Sequence, residues 1–530
     1  MNDRPRVLVK EKIADSGVDL LRRHFDVELG LDWQDGELEG RIGEFEALLV
    51  RSATRVGEEL IDRAERMRVI GRAGTGVDNI DVRAATRRGI VVANAPESNT
   101  LAAAEHAMAL MLALCRNVPQ AHMSLTGGKW ERSHFGGVEV YRKTLGILGF
   151  GRIGQLVAER ARGFGMEIVA YDPYVSAERY RELGVERAAS PADVYARADI
   201  VTLHLPKTPD TLGLLNAGAF AAMRDGVRIV NCARGELIDH AALEEALRSG
   251  KVAGAALDVF PEEPMVEHPL FGLDSVVVTP HLGASTVEAQ DRAGVQTAEQ
   301  VVAALTGGIV TNAVNIPALR PEDMEALEPF LPLARQLGQI AVALSEGPSI
   351  DRIEVVYEGR LSEHDTRLLT ISVLNGVLLG HTEEEVNLVN AHSLAEARGI
   401  AVAERREPAS DFNELIRVCV ESNGARVEVA GTGFGPRNEP HLVEVFGLGF
   451  NIPIAEHFAF FRYRDQPGMI GRVGTIFGER GVNIVSAAVA AEEGAEDAVM
   501  AVTTDAPVPD DLIAQIVGLD DFHSGRAVDL

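Results

Sequence analysis

Residues 144–173 read TLGILGFGRIGQLVAERARGFGMEIVAYDP, and few folds accommodate that order. Leu145 to Leu148 form a short apolar run, Gly149, Gly151 and Gly154 follow, and after a helical stretch Ile168 to Tyr171 lead to Asp172. The pattern predicts strand, glycine turn, helix and second strand, with G-x-G-x-x-G at the turn. The first glycine permits the tight turn, the second lets the backbone approach a pyrophosphate, and the third lets the helix pack closely on its strand. The helix N-terminus would hold the phosphates with its free N–H groups and its dipole. Asp172, at the strand tip about 20 residues past the glycines, would accept both ribose hydroxyls and repel a 2′-phosphate, so NAD is expected rather than NADP. Glycines alone also mark ordinary turns. The flanking strands and the acidic residue favour the nucleotide reading.

At 530 residues the chain has room for three or four domains, and 46% hydrophobic with 25% charged content is globular. A formal charge of −28 argues against general binding to nucleic acid or anionic membrane, so an anionic substrate needs local arginines. The three cysteines, Cys115, Cys232 and Cys419, lie far apart without metal-ligand spacing. They read as small buried side chains in a reducing compartment, and no metal site is expected. The N-terminal stretch enters a strand pattern at once, and the apolar helix Leu101 to Leu114 carries Glu105 and His106 and is too short for a bilayer. A cytoplasmic protein is expected.

Residues 6 to 98 alternate strands with helices, which implies a parallel sheet with covering helices. Two of its strand ends carry Arg51-Ser52-Ala53-Thr54 and Arg72-Ala73-Gly74-Thr75-Gly76, placed to hold an anion. A long helix, Asn99 to Arg116, and a loop with Lys129, Trp130, Arg132 and His134 precede the glycine turn; that loop is compatible with reaching a neighbouring subunit's site. Beyond Asp172, strands are expected at Ile200 to Leu205, Val227 to Asn231, Ala255 to Val259 and Val276 to Thr279. The last three lead into Arg234, Glu263 and His281. Oxidising an alcohol by hydride transfer needs a base for the hydroxyl proton, and histidine titrates near working pH. Glu263 could orient His281 and stabilise the imidazolium, and Arg234 could grip a substrate carboxylate in two-pronged geometry. Singly, each has an ordinary surface explanation. Their placement at successive strand ends favours chemistry.

Taken together, GRAGTGVDNID, LGILGFGRIG, NCARGELID, DVFPEEP and TPHLGAST resemble the D-isomer-specific 2-hydroxyacid dehydrogenases, most closely their phosphoglycerate-oxidising branch, over most of residues 6 to 316. The resemblance implies Arg234, Glu263 and His281 as the catalytic set. It implies nucleotide contacts at Thr75, Gly149, Gly151, Arg152, Ile153, Gly154, Asp172, Leu205, Cys232, Arg234, Asp258, His281 and Gly283. Relatives often carry threonine where Leu205 stands, so only a backbone contact is carried over there. Substrate contacts fall on Arg51, Ser52, Arg72, Gly74 and Asn99, with Arg132 supplied by a partner subunit. The fold class implied is α/β with two Rossmann-like doubly wound domains, the outer one discontinuous, then an α+β intervening domain and a ferredoxin-like ACT domain. The boundaries expected are 1–98 with 285–317 for the substrate domain, 99–284 for the NAD domain, 318–452 for the intervening domain and 455–530 for the ACT domain.

In residues 318 to 452 one helix is expected through Leu327, Phe330, Leu331, Ala334 and Leu337, with others at Thr366 to Leu379 and Glu383 to Arg398. Strand-like runs stand at Ile353 to Tyr357, Arg426 to Ala430 and Leu442 to Phe446, and no catalytic cluster is visible. From His457 the order β-α-β-β-α-β resembles an ACT domain, a ligand-sensing module that pairs with a copy in another subunit. The activity implied is NAD-dependent oxidation of 3-phospho-D-glycerate to 3-phosphohydroxypyruvate, the first step of the phosphorylated route to L-serine, in a homo-oligomer, a tetramer foremost. L-serine is the expected effector: Asp465 can pair with its ammonium, the Asn483 amide can donate and accept, and Tyr463 adds a phenol. Ordinary turn chemistry also explains Asp465 and Asn483. The alternatives are a glyoxylate or hydroxypyruvate reductase and a non-catalytic NAD-sensing binding protein.

Overall fold

Short apolar runs between helices build the first sheet. In the structure, a computed structural model describing residues 4–317, 319–345, 349–382, 385–408, 411–435, 437–491 and 496–530, these are β1 (Arg6–Val9), β2 (Asp26–Leu29), β3 (Ala47–Val50), β4 (Val69–Arg72) and β5 (Val91–Ala93). They pair in the order β2-β1-β3-β4-β5, all parallel. β3 is buried at every position, as a parallel strand covered on both faces must be. β2 lies at the edge, and its DVEL has no apolar run to mark it in the sequence. The helix Asp15–His24 packs against Val287–Thr306 through Gly17, where a Cβ would stand 2.6 Å from the Gly294 carbonyl oxygen. The chain thus returns to the first sheet after completing the second.

The second sheet comprises β6 (Thr144–Leu148), β7 (Glu167–Tyr171), β8 (Glu186–Arg187), β9 (Ile200–Leu203), β10 (Val227–Asn231), β11 (Val252–Leu257) and β12 (Val276–Val278). Its order is β12-β11-β10-β9-β6-β7-β8, again all parallel. The order reverses between β6 and β9, which opens a crevice at their carboxyl ends. Among the described residues no single helix is long and apolar enough to cross a membrane; the long helix Thr100–Cys115 buries Ala104, Leu110 and Met111 in this sheet's core.

The next part is organised by an antiparallel-rich sheet of β13 (Arg352–Gly359), β14 (Ala401–Glu407), β15 (Glu414–Ser422), β16 (Ala425–Phe434), β17 (Glu439–Val445) and β18 (Leu448–Pro453), in the order β14-β13-β15-β16-β17-β18. The single helix expected across Leu327 to Leu337 is instead Pro321–Leu327, a 3-10 turn and Leu331–Leu344, because Pro329 and Pro332 cannot donate helical bonds. The helix expected from Glu383 to Arg398 is only Ala391–Ala397, and Glu383 itself lies outside the described residues. Finally β19 (His457–Arg464), β20 (Ile484–Ala491), β21 (Asp497–Thr504) and β22 (Phe522–Asp529) form an antiparallel sheet in the order β20-β21-β19-β22. Two helices, Met469–Glu479 and Asp510–Val517, bury Val473, Phe477 and Leu512 on one of its faces. On the other, Phe458, Phe460 and Val528 join the core that holds Leu344 and Val427.

Candidate active site

The glycines between β6 and its helix each do a different job. Gly149 has φ +92°, and a Cβ on it would lie 2.5 Å from the His204 carbonyl oxygen at the end of β9. On Gly154 a Cβ would lie 2.2 Å from the Gly149 oxygen, so helix and turn touch through hydrogen alone. Around Gly151 nothing stands within 4 Å, and the helix Arg152–Gly163 begins there without a side-chain cap. An open face beside uncapped N–H groups fits a pyrophosphate. Asp172 accepts from Phe150 N–H (2.9 Å) at one oxygen and from Tyr174 N–H (2.9 Å) at the other. That anchors the carboxylate beside the glycine turn, with lone pairs left for ribose hydroxyls. Ile153 and Leu205 are partly buried beside the sheet, while Arg152 pairs with Glu97 at the surface (2.9 Å). Burial, with Asp258 nearby, drives the Cys232 thiol far above its ordinary range, so it stays neutral.

Opposite the crevice, the first sheet presents arginines. Arg72, at the end of β4, folds over Gly74, whose φ is +153°, and its buried Nε has no hydrogen-bond partner. Burial first, and the neighbouring Arg234 next, hold its pKa below the usual guanidinium value. Arg234, from the second sheet, reaches Asp78 across the cleft (3.2 Å). The turn carrying Arg51 and Ser52 wraps the Glu11 carboxylate, which accepts from the N–H groups of Arg51 (2.9 Å), Ala53 (3.2 Å) and Thr54 (2.8 Å). Thr75 donates to Asn99 (2.8 Å) at the start of the long helix. Crowded guanidiniums with one orphaned donor form a site for an anion.

His281 faces this cleft from the end of β12. Its Nδ1 lies 2.6 Å from Glu263 Oε2, and the other Glu263 oxygen accepts from Phe260 N–H (3.0 Å). Burial alone would raise the Glu263 pKa, but the bonds from His281 and Phe260 hold it below the ordinary value, so it is negative. Gly235 abuts Phe260, 2.0 Å from a would-be Cβ to the Phe260 carbonyl carbon, which sets Arg234 next to the Glu263 turn. His281 has φ +54°, a conformation that costs a non-glycine residue about 1–2 kcal/mol. Asp258 offsets it from below: its carbonyl accepts from His281 N–H (2.8 Å), and its carboxylate from Leu282 N–H (2.7 Å) and Gly283 N–H (2.8 Å).

Asp258 is wholly buried beneath residues 281–283, whose backbone it holds. Arg132 lies in an exposed 3-10 turn. The phenol of Tyr463 does not share an open face with Asp465: the residue is 2% exposed, packed against Phe522, because it is an inward position of β19. Asp465 is exposed, and the Asn483 amide donates to Asp505 (3.2 Å). Three residues join the site that no motif role marks in the sequence: Asp78, which sits inside GRAGTGVDNID, and His106 and Thr279, which support Asp258. His106 has a signal: it and Glu105 are the two strongly polar residues on an otherwise apolar, core-facing helix.

A glycine cradle, an anion-seeking cleft and a histidine–glutamate pair on the ends of parallel strands suit hydride exchange with a carboxylated alcohol. Residues 108–283 match the NAD binding domain of D-isomer specific 2-hydroxyacid dehydrogenases, residues 326–446 the D-3-phosphoglycerate dehydrogenase intervening domain, and residues 457–521 the ACT domain. Similar curated proteins include the D-3-phosphoglycerate dehydrogenases of Archaeoglobus fulgidus, 41% identical over 99% of this chain and 100% of that one, and of Mycobacterium tuberculosis, 42% identical over 99% of each. Among solved structures, a protein from Thermus thermophilus is 37% identical with TM-score 0.54, covering 58% of this chain and 99% of that chain. The D-lactate dehydrogenase of Escherichia coli is 28% identical with TM-score 0.52, covering 58% and 99%. The chain is an NAD-dependent oxidoreductase, and it belongs to the D-isomer-specific 2-hydroxyacid dehydrogenases, in the D-3-phosphoglycerate dehydrogenase group that carries an intervening and an ACT domain.

Proposed function

We propose that this enzyme oxidises 3-phospho-D-glycerate to 3-phosphohydroxypyruvate and so opens a route to L-serine. The observation that carries the reading is the Glu263–His281 pair set beside Arg234, with Arg72 and its orphaned Nε across the cleft. Arg234 exchanges Asp78 for the substrate carboxylate, and Arg72 with Arg51 and Ser52 receives the phosphate. His281 takes the hydroxyl proton at Nε2, and the negative Glu263 at Nδ1 stabilises the imidazolium. Bound NAD supplies the hydride acceptor. Because the His281 side chain is 48% exposed, its proton passes on to water.

In this reading residues 1–98 with 285–317 bind substrate, 99–284 bind NAD, 318–452 intervene and 455–530 sense. L-serine is the proposed effector, held by Asp465 and by Asn483 once it leaves Asp505, without the buried Tyr463. A homotetramer in the cytoplasm is proposed. Val118, Met123, Leu125 and Trp130 are exposed near Arg132, and apolar surface of that kind favours a second copy. The test is steady-state turnover of 3-phosphoglycerate, D-glycerate and D-lactate, with L-serine added to wild type, Asp465→Ala and Asn483→Ala. Equal kcat/KM for all three substrates would remove phosphate recognition, and a wild type indifferent to serine would remove the effector.

A further inference from the structure

Two separate sets of bonds hold His281. Glu263 fixes the ring at Nδ1, while Asp258 fixes the backbone of residues 281–283. With φ at +54°, that backbone needs the bonds to stay where it is. The Asp258 carboxylate is in turn only as well fixed as its remaining partners. Thr279 Oγ1 donates to Oδ1 at 2.6 Å, and His106 Nε2 lies 3.1 Å from Oδ1 and 3.1 Å from Thr279 Oγ1. The one hydroxyl hydrogen of Thr279 is spent on Asp258, whose pKa these bonds hold below the ordinary value despite its burial. An ionised carboxylate only accepts, so His106 Nε2 carries a hydrogen and donates. His106 belongs to the helix Thr100–Cys115 and Thr279 directly follows β12, so the network ties the His281 loop to a helix and a sheet.

We propose that His106 and Thr279 are positioning residues for hydride transfer, acting through Asp258 to keep the His281 imidazole within reach of the substrate hydroxyl. The proposal rests on His281 as the base. Glu263 sets the ring's rotation but not the place of its Cα, and a general base must come within about 2.6–3.2 Å of the proton's heavy atom. A displacement of about 1 Å lowers rates by about 10²-fold.

The test uses the full chain with NAD and 3-phosphoglycerate. Thr279→Val and His106→Leu remove the donors, while Thr279→Ser and His106→Gln keep them. The deletions are expected to lower kcat by about 10- to 100-fold with KM for NAD little changed. They should also raise the primary deuterium isotope effect of C2-deuterated substrate, since the chemical step becomes limiting, and the donor-keeping variants should recover most of the turnover. Deletion variants that melt at lower temperature yet keep kcat and the isotope effect would overturn the proposal. Should Thr279→Val not fold, the His106 pair makes the same comparison. His281→Ala separates the two levels. Retained turnover there removes the base assignment itself, whereas an inactive His281→Ala beside fully active Thr279→Val and His106→Leu removes only the positioning role.

Discussion

In the two parallel sheets β4, β10, β11 and β12 end on one side of their sheet, and Arg72, Arg234, Glu263 and His281 arrive with those ends. The sheet of residues 352–453 carries more charge on its strands than the two parallel sheets do, but most of its neighbouring strands end on opposite sides. There Arg417 on β15 is encircled by Glu358, Glu428 and Glu444 from β13, β16 and β17. Arg72 keeps an unpartnered Nε and His281 stands half exposed, while Arg417 is matched on every side. Charged residues alone therefore do not mark chemistry in this chain. Strand direction does, by deciding whether unmatched groups collect at one edge.

The contrast predicts opposite phenotypes. His281→Ala should lower kcat by about 10²-fold or more while NAD still binds. Arg417→Met should leave kcat of the folded enzyme unchanged and lower stability by about 3 kcal/mol, because three carboxylates lose their common partner. Turnover and chemical unfolding of both variants check the pair, and a loss of turnover in Arg417→Met would erase the distinction. Glu263→Gln lies between them: without its negative partner the imidazolium is less favoured, so the acid limb of kcat/KM should move to lower pH.

The same difference governed what could be read from sequence. The glycine turn, Asp172 and the motifs at Arg234, Glu263 and His281 were legible because a parallel strand followed by a turn is a local pattern whose ends share one edge. Tyr463 was misjudged because strand alternation turns it inward against Phe522. Strands β14 and β15 went unseen because mixed charged and apolar residues, such as AVAERRE in β14, carry no clear period, and β18, LGFNIP, is interrupted by Gly449 and ends in Pro453. His106 was hidden because its partners, Asp258 and Thr279, stand over 150 positions away in the chain.

Smaller effects follow from two glycines. Alanine at Gly154 puts a Cβ 2.2 Å from backbone that cannot yield, and should weaken NAD binding and destabilise the protein by about 1–3 kcal/mol. Gly471, on the helix Met469–Glu479, has nothing within 4 Å, and alanine there should stabilise by about 0.5–1 kcal/mol. Thermal unfolding and NAD titration measure both. A destabilised Gly471→Ala would mean that a second copy of the chain already covers this helix face.

Acidity also separates the two regions. Burial lowers the His204 pKa to about 4, and burial with His268 alongside lowers His240 to about 4, against an unfolded value near 6.5. Between those values the unfolded chain binds more protons, so stability in the parallel-sheet region is full above about pH 6.5 and declines as pH falls towards about 4. In the other region Arg320 and His364 hold the Asp323 carboxyl at about 2, below its unfolded value near 3.9. Asp323 contributes fully above that unfolded value, and its share is lost only as pH falls through about 2. The two windows barely overlap. Both tryptophans, Trp33 and Trp130, lie in the parallel-sheet region, so their fluorescence follows it while far-ultraviolet circular dichroism follows the whole chain. Urea midpoints by fluorescence should decline from pH 6.5 to 4, and Asp323→Asn should match wild type at pH 2 but fall below it at pH 7. A fluorescence midpoint that stays level across the upper window would mean that the buried histidines are already protonated in the folded protein.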